Sequence, residues 1–136
     1  MSTRIRTLSR AGVLLALLLA VLALPAFAAA AGPCTTTCYV DANTGNNAND
    51  GDTPATAKKT IQAAVTQVTA GGQVNVAAGT YAEDVTINKA VTVTGADPAT
   101  TIIDPVNYVS ISADNVTIKA IAISAGTHGV RLSKSG

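Results

Sequence analysis

Two cysteines, eight carboxylates and one histidine carry the reactive and ligating potential of this 136-residue chain. Cys34 and Cys38 stand in Pro33-Cys34-Thr35-Thr36-Thr37-Cys38. In extended chain their Cα atoms would be too far apart to bridge, so a disulfide demands a tight turn. Metal binding is a poor alternative, because no His lies nearby. A Cys34–Cys38 disulfide is the leading expectation, with free or intermolecular thiols as the other outcome. So short a loop adds little stability and would mainly stiffen the N-terminal segment.

The oxygen donors Asp41, Asn43, Asn47, Asn49, Asp50 and Asp52 form a second constellation. Ca²⁺ prefers such ligands. No Glu closes a twelve-residue loop, so the EF-hand pattern is absent. Asn, Asp and Gly hydrogen-bond their own backbone and favour turns, so a solvated turn without cofactor is expected, with Ca²⁺ as the alternative. Glu83 and Asp84 are adjacent and would point to opposite faces of a strand, which makes them a poor acid–base pair. Asp104 precedes Pro105 and should end a strand. Asp114-Asn115 should be a turn, and Asn88 and Asn115 are candidates for an amide ladder inside the corners of a coil. His128, Arg131 and Lys134 offer a base and cations of the kind a uronate lyase needs, but no Asp cluster accompanies them and a surface turn is expected. Tyr81 and Tyr108 are candidates for stacking on sugars from an exposed face. No catalytic constellation emerges from these residues.

The elements that would position these groups begin after a leader. Arg4, Arg6 and Arg10 precede an apolar run from Ala11 to Leu24, Pro25 breaks it, and Ala26-Phe27-Ala28 follows. This predicts a signal peptide over 1–28, cleaved after Ala28 or secondarily Ala30, and hence a secreted or cell-surface protein. An uncleaved anchor is the alternative, although the run is barely long enough to span. The precursor has a formal charge of +1. Without the three arginines, six cations face eight acids, about −2. No basic patch survives, which argues against nucleic acid as a partner.

Residues 29–58 hold a short strand, Tyr39-Val40-Asp41, and a polar loop from Ala42 to Thr53. Thr60 offers an N-cap for a helix from about Ile61 to Thr69. Ile61, Ala64, Val65 and Val68 form one apolar stripe, and Gly71-Gly72 would stop the helix as a left-handed C-cap. From Gly71 to Ser124, short Val/Ile/Thr strands alternate between Gly, Asn, Asp and Pro breaks. Val74-Asn75-Val76 aligns with Thr101-Ile102-Ile103, and Val85-Thr86-Ile87 with Val109-Ser110-Ile111. Val91-Thr92-Val93 aligns with Val116-Thr117-Ile118, and the Gly129–Leu132 segment follows Thr101–Asp104. A common lag in the middle twenties predicts an all-β coil with three strands per turn. An antiparallel sandwich also uses many short strands, but no two-residue Asn-Gly or Asp-Gly hairpin joins them here.

Lys59-Thr60-Ile61-Gln62-Ala63-Ala64-Val65, followed by Gly72-Gln73-Val74-Asn75-Val76-Ala77-Ala78-Gly79-Thr80-Tyr81-Ala82-Glu83, resembles the opening of right-handed parallel β-helix proteins of the pectin lyase-like superfamily. The likeness extends from Tyr39 to Ser124 and implies fold more than function. It implies that the amphipathic helix caps the coil and that Gly79-Thr80-Tyr81-Ala82-Glu83 turns from the first rung to the second, with Tyr81 packed on that turn. Ala57 stands where the family usually has a bulky aromatic, which implies a looser cap. The family usually has more coils, so residues 59–136 are expected to be a capping helix and the first coils of a longer protein, with an open edge able to meet further coils or other chains. Carbohydrate lyases, pectin esterases and surface adhesins share this opening. The expected function is a non-catalytic glycan-binding or adhesin domain with polysaccharide as partner. The alternative is the N-terminal part of a polysaccharide-active enzyme whose catalytic residues lie in other coils.

Overall fold

The computed structural model describes residues 33–124 and 129–133. The leader with its cleavage site, His128 and Lys134 lie outside them. All that follows concerns the unit Ala31–Gly136.

Ten strands and one α-helix form the described part: β1 (Thr37–Val40), α1 (Ile61–Gln67), β2 (Gly72–Val76), β3 (Gly79–Tyr81), β4 (Thr86–Ile87), β5 (Val91–Gly95), β6 (Thr101–Ile103), β7 (Val109–Ile111), β8 (Thr117–Lys119), β9 (Ala122–Ile123) and β10 (Val130–Leu132). They make three sheets, ordered β1-β2-β5-β8, β3-β6-β9 and β10-β7-β4. Every strand pairing is parallel. From β2 onward the chain deals one strand to each sheet in turn and repeats the order three times. A sandwich of antiparallel hairpins is thereby ruled out.

Two of the expected alignments hold and two do not. Thr86 lies beside Ser110 and Ile87 beside Ile111, while Thr92 lies beside Thr117 and Val93 beside Ile118. Val74, however, pairs with Val93 and not with Thr101. Thr101–Ile103 pairs with Gly79–Tyr81, so Gly79-Thr80-Tyr81 is a strand rather than a turn. Val130–Leu132 pairs with Val109–Ile111 instead of Thr101–Ile103. The connections differ in length, and the true lag is therefore not constant along the chain.

Parallel, in-register pairing stacks alternate side chains into columns. Cys38, Val74, Val93 and Ile118 form one inward column, and Tyr81, Ile103 and Ile123 another. Val40, Val76, Val85, Ile87, Val91 and Val109 complete the buried interior with them. Cys34 and Cys38 are bonded to each other across a Cα separation of 5.2 Å. Both are fully buried, so the bridge is part of the core and not only a brace on an exposed segment.

Helix α1 packs on β1 and β2. Thr60 Oγ1 accepts from the Ala63 amide at 3.2 Å and caps its start. Ile61, Ala64, Val65 and Val68 are all buried, as their spacing requires. A seven-residue helix is not stable alone in water; burial of Ile61 and Val65 within it and of Val68 at its C-cap, each contributing about 1.5–3 kcal/mol, holds it in place. It ends at Gln67, before the expected Thr69, because Val68 turns to extended backbone (φ −61, ψ 141). Gly71 does have a left-handed φ of +84, but it serves the turn into β2 and is not the C-cap. Ala57 is itself buried.

Candidate functional site

The outer face of the four-stranded sheet presents two polar rows. Thr37, Gln73, Thr92 and Thr117 lie side by side on successive strands. Tyr39, Asn75, Thr94 and Lys119 form the next row. They face outward because the intervening Cys38, Val74, Val93 and Ile118 face the core. Gln73 Nε2 donates to Asn75 Oδ1 at 2.7 Å, which ties the rows together and aims the Asn75 amide.

At the β1 end of the second row, Pro54 and Ala57 border an open cleft of about 300 Å³, and Lys58 bridges to Val40 along the β1 edge. Tyr39, Asn75, Thr94 and Asp41 line it together with the apolar Pro54, Ala57, Ala77 and Ala96. The bordering segment is tied down by local hydrogen bonds. Thr53 and Thr56 form a capping box around a 3-10 turn, Pro54–Thr56. Gly51 N donates to Thr56 O at 2.9 Å and Asn46 N to Ala57 O at 3.0 Å. Within the cleft wall, Thr94 Oγ1 is buried without a hydrogen-bond partner, the one such side-chain atom among the described residues. A buried hydroxyl left unpaired is costly.

The residues singled out from sequence fall elsewhere. Several side chains of the Asp41–Asp52 loop bond within the loop or to the segment that follows it. Asp41 accepts from the Thr44 hydroxyl at 2.7 Å and the Asn43 amide at 2.8 Å. Those bonds hold its carboxyl below the ordinary value. Asp50 is lowered in the same way by the Thr56 hydroxyl and the Asp52 amide. Asn47 Oδ1 accepts from the amides of Lys59 and Thr60. The loop's cation is the chain's own: Lys58 is buried, and its Nζ donates to the carbonyls of Asn47 (3.2 Å) and Asn49. Those two backbone carbonyls face an ammonium. Among the described residues no group of three or more His, Cys, Asp or Glu is placed to hold a metal ion.

Glu83 is a structural group. Its two oxygens accept from the amides of Ile61 (2.7 Å) and Gln62 (3.0 Å) at the start of α1. Burial pushes its carboxyl above the ordinary value, and the two amides oppose that shift. Asp84 is exposed and accepts from the Asn107 side chain at 2.7 Å and backbone at 2.8 Å, which lower it. Glu83 and Asp84 thus serve different partners and form no acid–base pair. Asp104 follows β6 and accepts from Ser124 Oγ. Asn88 and Asn115 are exposed, and Asn115 has φ +57, so neither joins an interior ladder.

Tyr81 cannot stack on a ligand from an exposed face. It is buried, and its hydroxyl donates to Ala77 O at 2.9 Å while accepting from the Ala42 amide at 3.3 Å. Burial pushes its hydroxyl pKa up to about 12. Tyr108 is half-exposed, but the Arg131 guanidinium lies 5.7 Å from its ring centroid and takes one face. Tyr39 and Asn75 are the residues that sequence reasoning missed. Their signal was present in the alternation of Tyr39-Val40-Asp41 and Val74-Asn75-Val76. Aligning Val74–Val76 with Thr101–Ile103 set Asn75 beside the apolar Ile102 and so hid the polar row.

Among the described residues no helix is long and apolar enough to cross a membrane. No protein-family model matches the chain, and neither does a curated protein or a solved structure.

Proposed function

We propose that this chain is a secreted or cell-surface right-handed parallel β-helix domain of pectin lyase-like type that binds glycans and performs no catalysis with these residues. The three-sheet recurrence of parallel strands is the observation that carries the proposal. That recurrence sets two rows, rich in Thr, Asn and Gln, at the inter-strand spacing of about 4.8 Å on the outer face of one sheet. Hydroxyls and amides repeated along one direction suit a polymer of repeating hydroxyl groups. Asp41, Asp50, Glu83 and Asp84 are each held by backbone or side-chain partners within the fold, and none of these four is paired with another acid or base.

The test has two parts. Secreted material is applied to an array of plant, algal and bacterial polysaccharides, and is incubated with pectate, methylated pectin and alginate. Binding without turnover is expected. Turnover of any of the three polymers would instead favour the N-terminal part of a polysaccharide-active enzyme. Failure to bind any glycan would remove the reading.

A further inference from the structure

The two ends of the sheets are built differently. β1, β3 and β4 border one end, and β8, β9 and β10 the other. An edge strand leaves alternate peptide groups without a partner, and such an edge invites a strand from another molecule.

In β4 the residue concerned is Thr86, because its neighbours bond towards β7: Val85 O accepts from Ser110 N at 2.8 Å and Ile87 O from Ser112 N at 2.9 Å. Both backbone groups of Thr86 are nevertheless occupied. Its N–H donates to Gln62 Oε1 at 2.7 Å, and its carbonyl accepts from Gln62 Nε2 at 3.4 Å. One side-chain amide thus offers the acceptor and the donor that a neighbouring strand would offer. Contacts on both sides of Thr86 fix the helix that carries it. Glu83 accepts from the amides at the start of α1, and Lys89 Nζ donates to Thr66 O (3.1 Å) and Val68 O (3.0 Å) at its end.

The β1 edge is closed by backbone. Tyr39 N donates to Gly51 O at 2.8 Å, Lys58 N to Tyr39 O at 2.9 Å and Asp41 N to Lys58 O at 2.9 Å. In β3 only Thr80 is left to face outward, since Gly79 N and Tyr81 O bond towards Thr100 and Asp104, and a single residue is a poor template for a ladder. At the other end no strand lies beyond β8, β9 or β10 among the described residues, and Val130 and Leu132 are exposed. Stacking copies head to tail would set β8, β9 and β10 of one against β1, β3 and β4 of the next. A heterologous contact of that kind repeats without closing.

We propose that α1 and the Gly51–Lys58 segment seal the β4 and β1 edges against strand addition, with the Gln62 side-chain amide standing in for the peptide of a neighbouring strand, so that copies of this chain do not polymerise head to tail. This is independent of glycan binding.

Hydrogen exchange and sedimentation velocity on the secreted protein test the seal and its consequence. Gln62→Ala removes the amide, and Ala at this half-exposed position favours the helix. The Thr86 amide should then exchange about fivefold faster or more, while the amides of Ser110 and Ser112, which bond on the other side of β4, keep their rates. Unchanged exchange at Thr86 overturns the role of Gln62, and so does equal acceleration at all three amides, which would mean loss of the sheet and not of an edge contact. Over a concentration series the wild-type protein should not pass beyond a dimer, the limit set by an isologous contact through the open end. Growth into species that lengthen with concentration overturns the proposal, and its loss in Leu132→Lys would place the offending contact at β10.

Discussion

Replacing Glu83 by Ala removes the acceptor from two amides at once, those of Ile61 and Gln62 at the start of α1. A hydrogen bond to an ionised group contributes about 1.5–3 kcal/mol. Ile61 is buried, so its amide regains little water when Glu83 is lost; Gln62 is half-exposed, and its amide regains more. The gross loss is therefore nearer one full bond than two. Burial acts in the opposite sense, since the ionised carboxylate bears a desolvation cost that Ala does not. The net expectation is a loss of about 2 kcal/mol. For a domain of this size that lowers the melting temperature by about 8–16 °C. Glu83→Gln retains one acceptor oxygen and should fall between wild type and Glu83→Ala. Urea and thermal unfolding followed by circular dichroism measure both variants. Hydrogen exchange at Ile61 and Gln62 should accelerate ahead of the global rate. If Glu83→Ala lies within about 0.5 kcal/mol of wild type and those two amides exchange as before, Glu83 does not hold the helix against the sheets.

Three further outcomes are expected. Val65→Asp places an unpaired charge between α1 and the core and should cost several kcal/mol, whereas Gln67→Asp on the exposed face should cost little; equal effects in thermal unfolding would show that the helix does not pack there. A Cβ added at Gly95 would lie 2.1 Å from Ala120 O and 2.6 Å from Ile121 Cγ1, so Gly95→Ala should destabilise by about 1–3 kcal/mol, read from the urea midpoint. The pH profile carries two opposite signs. The lowered carboxyls of Asp41, Asp50 and Asp84 contribute stability above the ordinary carboxylate range that is lost as pH falls through their folded values. The raised carboxyl of Glu83 carries a cost when ionised, relieved as pH falls through its folded value. Urea titrations should show stability level or slightly higher from pH 7 to about 5 and falling below about 4. A steady fall starting at neutral pH would contradict the Glu83 assignment.

Much of this protein is legible one residue at a time. Alternating Val-x-Val and Ile-x-Ile mark strands, because inward and outward positions alternate with a period of two. The stripe of Ile61, Ala64, Val65 and Val68 marks a helix with one buried face, and Thr60 marks its start. Local pattern cannot decide which strand neighbours which. That depends on connection lengths, and those vary, so Val74 meets Val93 rather than Thr101 and Gly79–Tyr81 becomes a strand of its own. The same limit hid the cleft. Tyr39, Asn75 and Thr94 are far apart in the chain and meet only through register, and Pro54 and Ala57 are brought beside them by a loop held through hydrogen bonds distant in sequence. Glu83 and Lys58 are the clearest cases. By residue type they read as a surface acid and a surface base, yet packing sets one against a helix terminus and closes a loop around the other. Side-chain chemistry belongs to the sequence; the partners that give it a role are chosen by the fold, because hydrogen bonds are made in space and not along the chain.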